Sequence, residues 1–287
     1  MTNSQTAHRL AVVGAGVMGT AIATLAVGRG LPVHLVDIDA EKAGRAGESV
    51  RQQLRLAQLM GSLPRTGPTG ELTTEGSTVD LPSVTAVIES VTENAETKVK
   101  TLAEISAAVA PGTLLVSNTS AIPIDELAGA VARPADLVGI HFMNPPYLIR
   151  TVEVIRGPRT GDAAMAAATE LLAALDMAAV VVGDGPGFVI NRVLQRMINE
   201  AARIVEEGLA TPAQVDELFR GCLGHQTGPL ATADLIGLDN VADSLRVLHE
   251  RTGDDGYRPC ESLLAKVAAG EHGRKAGRGF FEHGSTL

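Results

Sequence analysis

Six residues near the start of the chain, Gly14-Ala15-Gly16-Val17-Met18-Gly19, constrain its fold more than any others because of what flanks them. Leu10–Val13 is a short apolar run that reads as a buried strand, and Met18–Arg29 reads as the helix that follows it. In a strand, Gly-rich turn and helix, the glycines stand where a tight turn and close approach of backbone to a pyrophosphate need no side chain. The free N–H groups and positive dipole end of the helix then face that anion. A glycine fingerprint alone recurs in unrelated turns. The context here is a second strand, Val33-His34-Leu35-Val36, ending in Asp37 eighteen residues past Gly19. A carboxylate at that point accepts hydrogen bonds from the adenosine ribose and repels a 2′-phosphate, which favours NAD over NADP. The cofactor-binding candidates are thus Gly14, Gly16, Val17, Met18, Gly19 and Asp37. A second role stays open for Asp37 or Asp39, as cap of the following helix, and it suits Asp39 better.

Leu10 to Gly28 is also nineteen residues without a charge, near the minimum for a bilayer span. Its four glycines at turn-like spacing favour strand, turn and helix over a membrane segment. Beyond it, up to residue 184, short apolar runs alternate with amphipathic stretches, the pattern of parallel strands joined by crossover helices. The strand candidates are Leu10–Val13, Val33–Val36, Ala86–Ser90, Leu114–Ser117, Leu137–His141, Thr151–Ile155 and Ala178–Val182. Helices are expected at Met18–Arg29, Val99–Val109 and Ala163–Leu175, with a longer helical excursion over Ala40–Met60 before the chain returns through Gly61–Gly76. The expected class is α/β, a Rossmann-type doubly wound and mostly parallel sheet occupying residues 1–184. After Gly183-Asp184-Gly185-Pro186-Gly187 the strand-like runs stop. An all-helical C-terminal domain over 185–287 follows, with a long helix at Phe188–Glu207, a stop at Gly208 and a new start at Thr211-Pro212. Met1–Ala7 reads as a disordered tail.

A formal charge of −9, five Phe, two Tyr and no Trp provide neither a basic groove nor stacking platforms, so nucleic acid is not an expected partner. The two cysteines, Cys222 and Cys260, are in no metal-ligand spacing, and no metal or disulfide is expected. A reducing cytoplasm and no membrane association fit this composition.

Four polar islands interrupt the apolar pattern at expected strand ends or at the domain boundary, where ligands bind in open α/β sheets: Glu89–Lys98, Ser117–Ser120, His141–Pro145 and Gly185–Arg192. They contain one imidazole, His141, whose neutral form takes a proton from a carbinol near neutral pH, and Glu153 follows in the next strand. A carboxylate on Nδ1 would fix the useful tautomer and stabilise the imidazolium. Taken singly, His141 reads as an ordinary strand-end histidine, and Ser117 and Asn191 as loop and helix-cap residues.

The islands in their order resemble the 3-hydroxyacyl-CoA dehydrogenase family over nearly the whole chain. The N-terminal resemblance lies in Gly14–Gly19 with Ala21-Ile22-Ala23, in Ile88-Glu89-Ser90-Val91-Thr92-Glu93-Asn94, in Ser117-Asn118-Thr119-Ser120 and in His141-Phe142-Met143-Asn144-Pro145. The C-terminal resemblance lies in Gly187-Phe188-Val189-Ile190-Asn191-Arg192, in Gly228-Pro229-Leu230 with Asp234 and Gly237-Leu238-Asp239, and in Gly277-Arg278-Gly279-Phe280-Phe281. The resemblance implies an NAD-dependent L-3-hydroxyacyl thioester dehydrogenase. In it His141 is the acid/base, Glu153 its carboxylate partner, and Ser117 and Asn191 bind the substrate's oxygens. Glu93, Lys98, Asn144 and Lys275 would lie around the nicotinamide, ribose or thioester. The helical domain would close the cleft and pair with a second subunit in a homodimer. Gly228–Asp239 and Gly277–Phe281 are expected to serve packing rather than catalysis.

One stretch departs from the common family pattern: Pro146-Tyr147-Leu148-Ile149-Arg150-Thr151-Val152-Glu153, whose Pro-Tyr pair resembles the family's gulonate-type sugar-acid branch. Arg51 and Arg55 are the cations available to a coenzyme A phosphate, with few lysines beside them. An acyl group on CoA, an acyl group on a carrier protein and a free sugar acid therefore remain as substrate classes. A catalytically silent NAD-binding protein is the non-enzyme alternative, which the presence of His141, Glu153, Ser117 and Asn191 together disfavours. A hydroxyacid dehydrogenase with a catalytic lysine is disfavoured too, since only Lys98, Lys100, Lys266 and Lys275 lie beyond Lys42.

Overall fold

Four apolar residues in extended form must bury both faces and pair on both edges, and β1 (Leu10–Val13) does so at the middle of a sheet. The computed structural model describes residues 8–76, 81 and 83–284; the tail Met1–Ala7 lies outside them. Among the described residues the sheet has eight strands, continuing with β2 (Val33–Val36), β3 (Leu72–Glu75), β4 (Ala86–Glu89), β5 (Leu114–Ser117), β6 (Leu137–His141), β7 (Thr151–Arg156) and β8 (Ala178–Gly183). They lie in the order β3-β2-β1-β4-β5-β6-β7-β8. Every neighbouring pair is parallel except β6 and β7, so the sheet is mostly parallel and doubly wound as expected. The strand order reverses direction between β1 and β4, which opens a crevice at their carboxyl ends.

The crossovers are α1 (Val17–Gly28), α2 (Ala40–Leu59), α3 (Ala95–Ala108), the short α4 (Ile124–Ala128) and α5 (Asp162–Ala174). Gly19 to Gly28 of α1 are all buried, which explains the charge-free run: it serves a strand, a turn and a helix inside the core. Among the described residues no helix is long and apolar enough to cross a membrane. Leu10, Val12, Ile22, Leu25, Ile88, Val116 and Ile140 share the core of this unit.

Two expectations in the first unit need correcting at element level. The return through Gly61–Gly76 contains a strand, β3, which extends the sheet by pairing with β2 from Val33↔Leu72 to Val36↔Glu75. It was hidden because Leu-Thr-Thr-Glu sits on the sheet edge, largely exposed, and so carries no apolar signal. The helix expected from Val99 begins at Ala95, because the Asn94 side chain accepts from the Thr97 N–H at 2.9 Å and caps it there.

The first compact unit ends at Gly185 and the second begins at Pro186. The second unit is helical: α6 (Ile190–Glu206), α7 (Pro212–Leu223), α8 (Pro229–Ile236), α9 (Leu238–Thr252) and α10 (Glu261–Ala268). The long helix starts two residues later than Phe188, since Gly187 and Phe188 both have positive φ. Thr211 opens α7 with a complete capping box, its hydroxyl accepting from Gln214 while the Gln214 side chain accepts from the Thr211 N–H. Ile198, Leu230, Val241, Leu245, Leu263 and Phe280 form this unit's own core. Two buried carboxylates tie it together. Asp216 accepts from the N–H groups of Leu230 and Ala231 at the start of α8, and Asp234 accepts from Phe280, Phe281 and His283. These contacts give the Gly228–Asp239 and Gly277–Phe281 motifs a packing role.

Candidate active site

The crevice between β1 and β4 is a cleft of about 450 Å³, lined by Gly14, Gly16, Val17, Met18, Asp37 and Phe142 among others. Its glycines are required by what surrounds them. A Cβ at Gly14, where φ is +104°, would lie 2.5 Å from the Ser90 carbonyl oxygen, and one at Gly19 would lie 1.8 Å from that of Gly14. Gly16 differs, with nothing within 4 Å of where its Cβ would be. That opening at the start of α1, in a cleft of ligand size, is the cradle a dinucleotide pyrophosphate needs, so the residues present fit NAD.

Asp37 closes one end of the cleft. Its Oδ2 accepts from the Ala15 N–H at 2.9 Å and from Lys42 Nζ at 2.7 Å, and its Oδ1 accepts from the Asp39 N–H at 3.2 Å. Burial pushes the Asp37 carboxyl up, but Lys42 and the backbone N–H groups of Ala15 and Asp39 outweigh that and hold it below the usual carboxylate range. Asp39 is the cap of α2, accepting from the Lys42 N–H. Asp39 thus takes the capping role, and Asp37 lines the cleft.

Behind the cleft is a buried charged network with Glu89 at its centre. Glu89, the last residue of β4, is fully buried, and its Oε1 accepts from Lys98 Nζ at 2.7 Å. Lys98 is only 1% exposed and also lies 3.3 Å from Glu93 Oε2. The other Glu89 oxygen accepts the Ser117 hydroxyl at 2.6 Å. A carboxylate can only accept, so Ser117 donates its proton to Glu89 and its oxygen keeps acceptor capacity alone. Glu93 in turn accepts from the N–H groups of Ser120 and Ala121 at 2.8 and 3.0 Å and from the Thr119 hydroxyl. The Asn118 carboxamide bridges the next island, its Oδ1 accepting from the Phe142 N–H at 3.0 Å. Three of the polar islands are therefore one hydrogen-bonded assembly. Of its members, Glu93 and Asn118 line the cleft, while Lys98 and Ser117 stand behind it.

His141 ends β6 and Glu153 lies directly opposite it on antiparallel β7. This register brings His141 Nδ1 to 2.8 Å from Glu153 Oε2, with both residues buried. Since the carboxylate accepts, Nδ1 carries the proton and the neutral ring has its lone pair on Nε2. Phe142, the next residue, lines the nucleotide cleft.

Asn144 is exposed and precedes a cis peptide to Pro145. Arg51 and Arg55 are exposed on α2. Asn191, in the first turn of α6, is buried and its Oδ1 accepts from Gln195 at 2.9 Å. Lys275 forms an ion pair with Asp239 at 2.6 Å. The departing stretch has structural work of its own. Tyr147 packs into the core, and Arg150 pairs with Asp176 at 2.8 Å, a carboxylate also held by Arg29 at 2.7 Å.

Sequence reasoning gave no role to Glu89, Asn118 or Lys42. Glu89 had a signal: a carboxylate ending a strand buried on every side must be paired, and Lys98 is the cation nine residues on. Lys42 had none beyond its place on the first turn of a helix.

A doubly wound sheet with a dinucleotide cradle, next to a histidine oriented by a buried carboxylate, defines a nicotinamide-dependent dehydrogenase. The profile of the 3-hydroxyacyl-CoA dehydrogenase NAD binding domain matches residues 9–185, and that of the 3-hydroxyacyl-CoA dehydrogenase C-terminal domain matches residues 187–283. The chain belongs to the 3-hydroxyacyl-CoA dehydrogenase family. It is 38% identical over 278 residues to a probable 3-hydroxybutyryl-CoA dehydrogenase of Bacillus subtilis, covering 96% of this chain and 97% of that one. It is 38% identical over 280 residues to a 3-hydroxybutyryl-CoA dehydrogenase of Bradyrhizobium diazoefficiens, covering 96% and 95%. The crystal structure of (S)-3-hydroxybutyryl-CoA dehydrogenase from Ralstonia eutropha superposes with a TM-score of 0.88 at 36% identity, covering 98% of this chain and all of that one.

Proposed function

We propose that this NAD-dependent dehydrogenase interconverts a short L-3-hydroxyacyl-CoA, such as 3-hydroxybutyryl-CoA, and its 3-ketoacyl-CoA. The observation that carries the reading is the 2.8 Å contact between His141 Nδ1 and Glu153 Oε2, with His141 immediately before Phe142 of the nucleotide cleft. When bound, NAD supplies the hydride acceptor at C4 of its nicotinamide. In the oxidative direction His141 Nε2 takes the hydroxyl proton as the C3 hydride leaves, and Glu153 offsets the charge of the imidazolium. Asn191 donates to a substrate oxygen, while Ser117, expected from the resemblance to bind substrate, is buried behind the cleft with its proton on Glu89 and acts through that carboxylate. Glu93, Lys98 and Asn144 order the nicotinamide end, with Lys98 acting through Glu93 and Glu89. Lys275, Arg51 and Arg55 provide cations for phosphates or the thioester's carrier. The names of the relatives favour coenzyme A over a carrier protein or a free sugar acid. The first unit is the NAD-binding domain. The second serves substrate binding and pairing of two subunits, in a cytoplasmic homodimer.

Reduced-nicotinamide absorbance with acetoacetyl-CoA and NADH, comparing wild type with His141→Ala, tests the proposal. Consumption of NADH that falls by about 10²- to 10⁴-fold in the variant is expected for loss of a positioned acid/base. No consumption by the wild type on CoA thioesters would overturn the substrate assignment, and equal rates in the two proteins would remove His141 from the chemistry.

A further inference from the structure

An aspartate at the end of the second strand discriminates against a 2′-phosphate only as far as its charge and its acceptor positions remain available. In this chain neither is fully available. Asp37 Oδ2 already accepts from Lys42 Nζ at 2.7 Å and from the Ala15 N–H at 2.9 Å, and Oδ1 accepts from the Asp39 N–H at 3.2 Å. Lys42 lines the same cleft, on the first turn of α2, with its side chain 46% exposed. Among the described residues lining that cleft it is the one cationic side chain, the acidic ones being Asp37, Glu93 and Glu104. Glu93 is committed to Lys98 and to the backbone of Ser120 and Ala121. Glu41, beside Lys42 in the chain, pairs with Arg45 at 3.2 Å.

We propose that Lys42 sets cofactor choice at this site: its ammonium offsets Asp37 at the ribose position, so that the cleft also accepts a 2′-phosphorylated dinucleotide, NADP(H), beside NAD(H). The ammonium is a compact charge on a flexible stem, able to turn from the carboxylate to a phosphate a few ångströms away. With NAD bound it stays on Asp37, and one ribose hydroxyl competes with it for Oδ2. With NADP bound it meets the phosphate while the backbone N–H groups of Ala15 and Asp39 hold Asp37 in place. This inference rests on the reading of the cleft as the nucleotide site, and binding can be tested without turnover.

The experiment is calorimetric titration of the full chain with ADP and with adenosine 2′,5′-bisphosphate, for wild type, Lys42→Ala and Lys42→Arg. The expected result is that wild type binds both, that Lys42→Ala weakens the 2′,5′-bisphosphate about tenfold more than ADP, the scale of one charge-assisted phosphate contact, and that Lys42→Arg restores it. The kcat/KM ratio of NADPH to NADH should fall in parallel in Lys42→Ala. Binding of ADP with no binding of the 2′,5′-bisphosphate by wild type would overturn the proposal, as would an equal loss for both ligands in Lys42→Ala. If wild type binds neither, the nucleotide-site reading fails and this inference with it. Thermal melts of the variants separate loss of affinity from loss of fold.

Discussion

A buried ionised side chain survives only with a partner, and the pair at Lys98 and Glu89 shows what that requires in this chain. Both are removed from water, a cost of several kcal/mol per ion that a 2.7 Å contact and the Ser117 hydrogen bond offset. Glu89→Ala leaves the Lys98 ammonium with Glu93 and the Val91 carbonyl, each at 3.3 Å, and should cost about 3 kcal/mol of stability in denaturant titrations, toward the low end for a broken buried pair. The double change Glu89→Met with Lys98→Met should cost less than Glu89→Ala, because it removes the orphaned charge with the pair; a double-change cost equal to the sum of the two single changes would show the groups to be uncoupled. Glu153→Gln separates orientation from charge in the same way. Its amide oxygen still accepts from Nδ1 while the negative charge is gone, so kcat should fall with KM for the acyl thioester retained. A change confined to KM would argue against a charge role for Glu153. Much of the site was legible at this scale because its chemistry is local to single residues: one imidazole at a strand end, one carboxylate on the next strand, one glycine triplet. The residues that escaped, Glu89, Asn118 and Lys42, act on other side chains or on loop backbone, and only the folded chain shows which ones.

Elements meet where a few backbone positions allow no alternative. Gly19→Ala places a methyl 1.8 Å from the Gly14 carbonyl oxygen, which cannot move without disturbing the turn that shapes the cleft. Loss of NADH binding is expected even where the variant's circular dichroism remains native; full retention of affinity would show that the turn relaxes. In the second unit the Lys275 pair holds the final turn to α9. Burial raises the Asp239 carboxyl, and Lys275 and the Asn240 N–H outweigh it, so its folded pKa lies below the unfolded value of about 3.9. A depressed carboxylate stabilises the fold above the unfolded pKa and loses that contribution as pH falls through the folded one. The melting difference between wild type and Asp239→Asn should therefore be present at pH 7 and shrink below about pH 4; a difference independent of pH would rule out the carboxylate charge as its source. The sheet was readable from sequence wherever strands are buried, since Val, Leu and Ile runs report burial. β3 was not, being an exposed edge of polar residues held only by its pairing with β2. The start of α3 shifted for a related reason: its cap, Asn94, is a single polar residue, weaker in sequence than the apolar period it precedes.

For the molecule as a whole, binding and turnover draw on different lengths of chain. Among the described residues, all those lining the nucleotide cleft lie before Gly185, as do His141 and Glu153, and the core that supports them is made of the same unit's strands and helices. Asn191, the expected substrate contact, comes after Pro186, in a unit with a separate core. If the division of labour proposed above holds, a protein ending at Gly185 should bind NADH with an affinity within about tenfold of the full chain, since no cleft-lining residue is lost, yet show no consumption of NADH with acetoacetyl-CoA. The exposed valines Val180 and Val181 on the edge strand β8 make low protein concentration necessary for that measurement. Turnover by the truncated protein would place substrate recognition entirely in the first unit and leave Asn191 without a part in it. Loss of NADH binding with native circular dichroism would mean instead that residues after Pro186 complete the nucleotide site, and the assignment of the two units would have to be redrawn around a shared one.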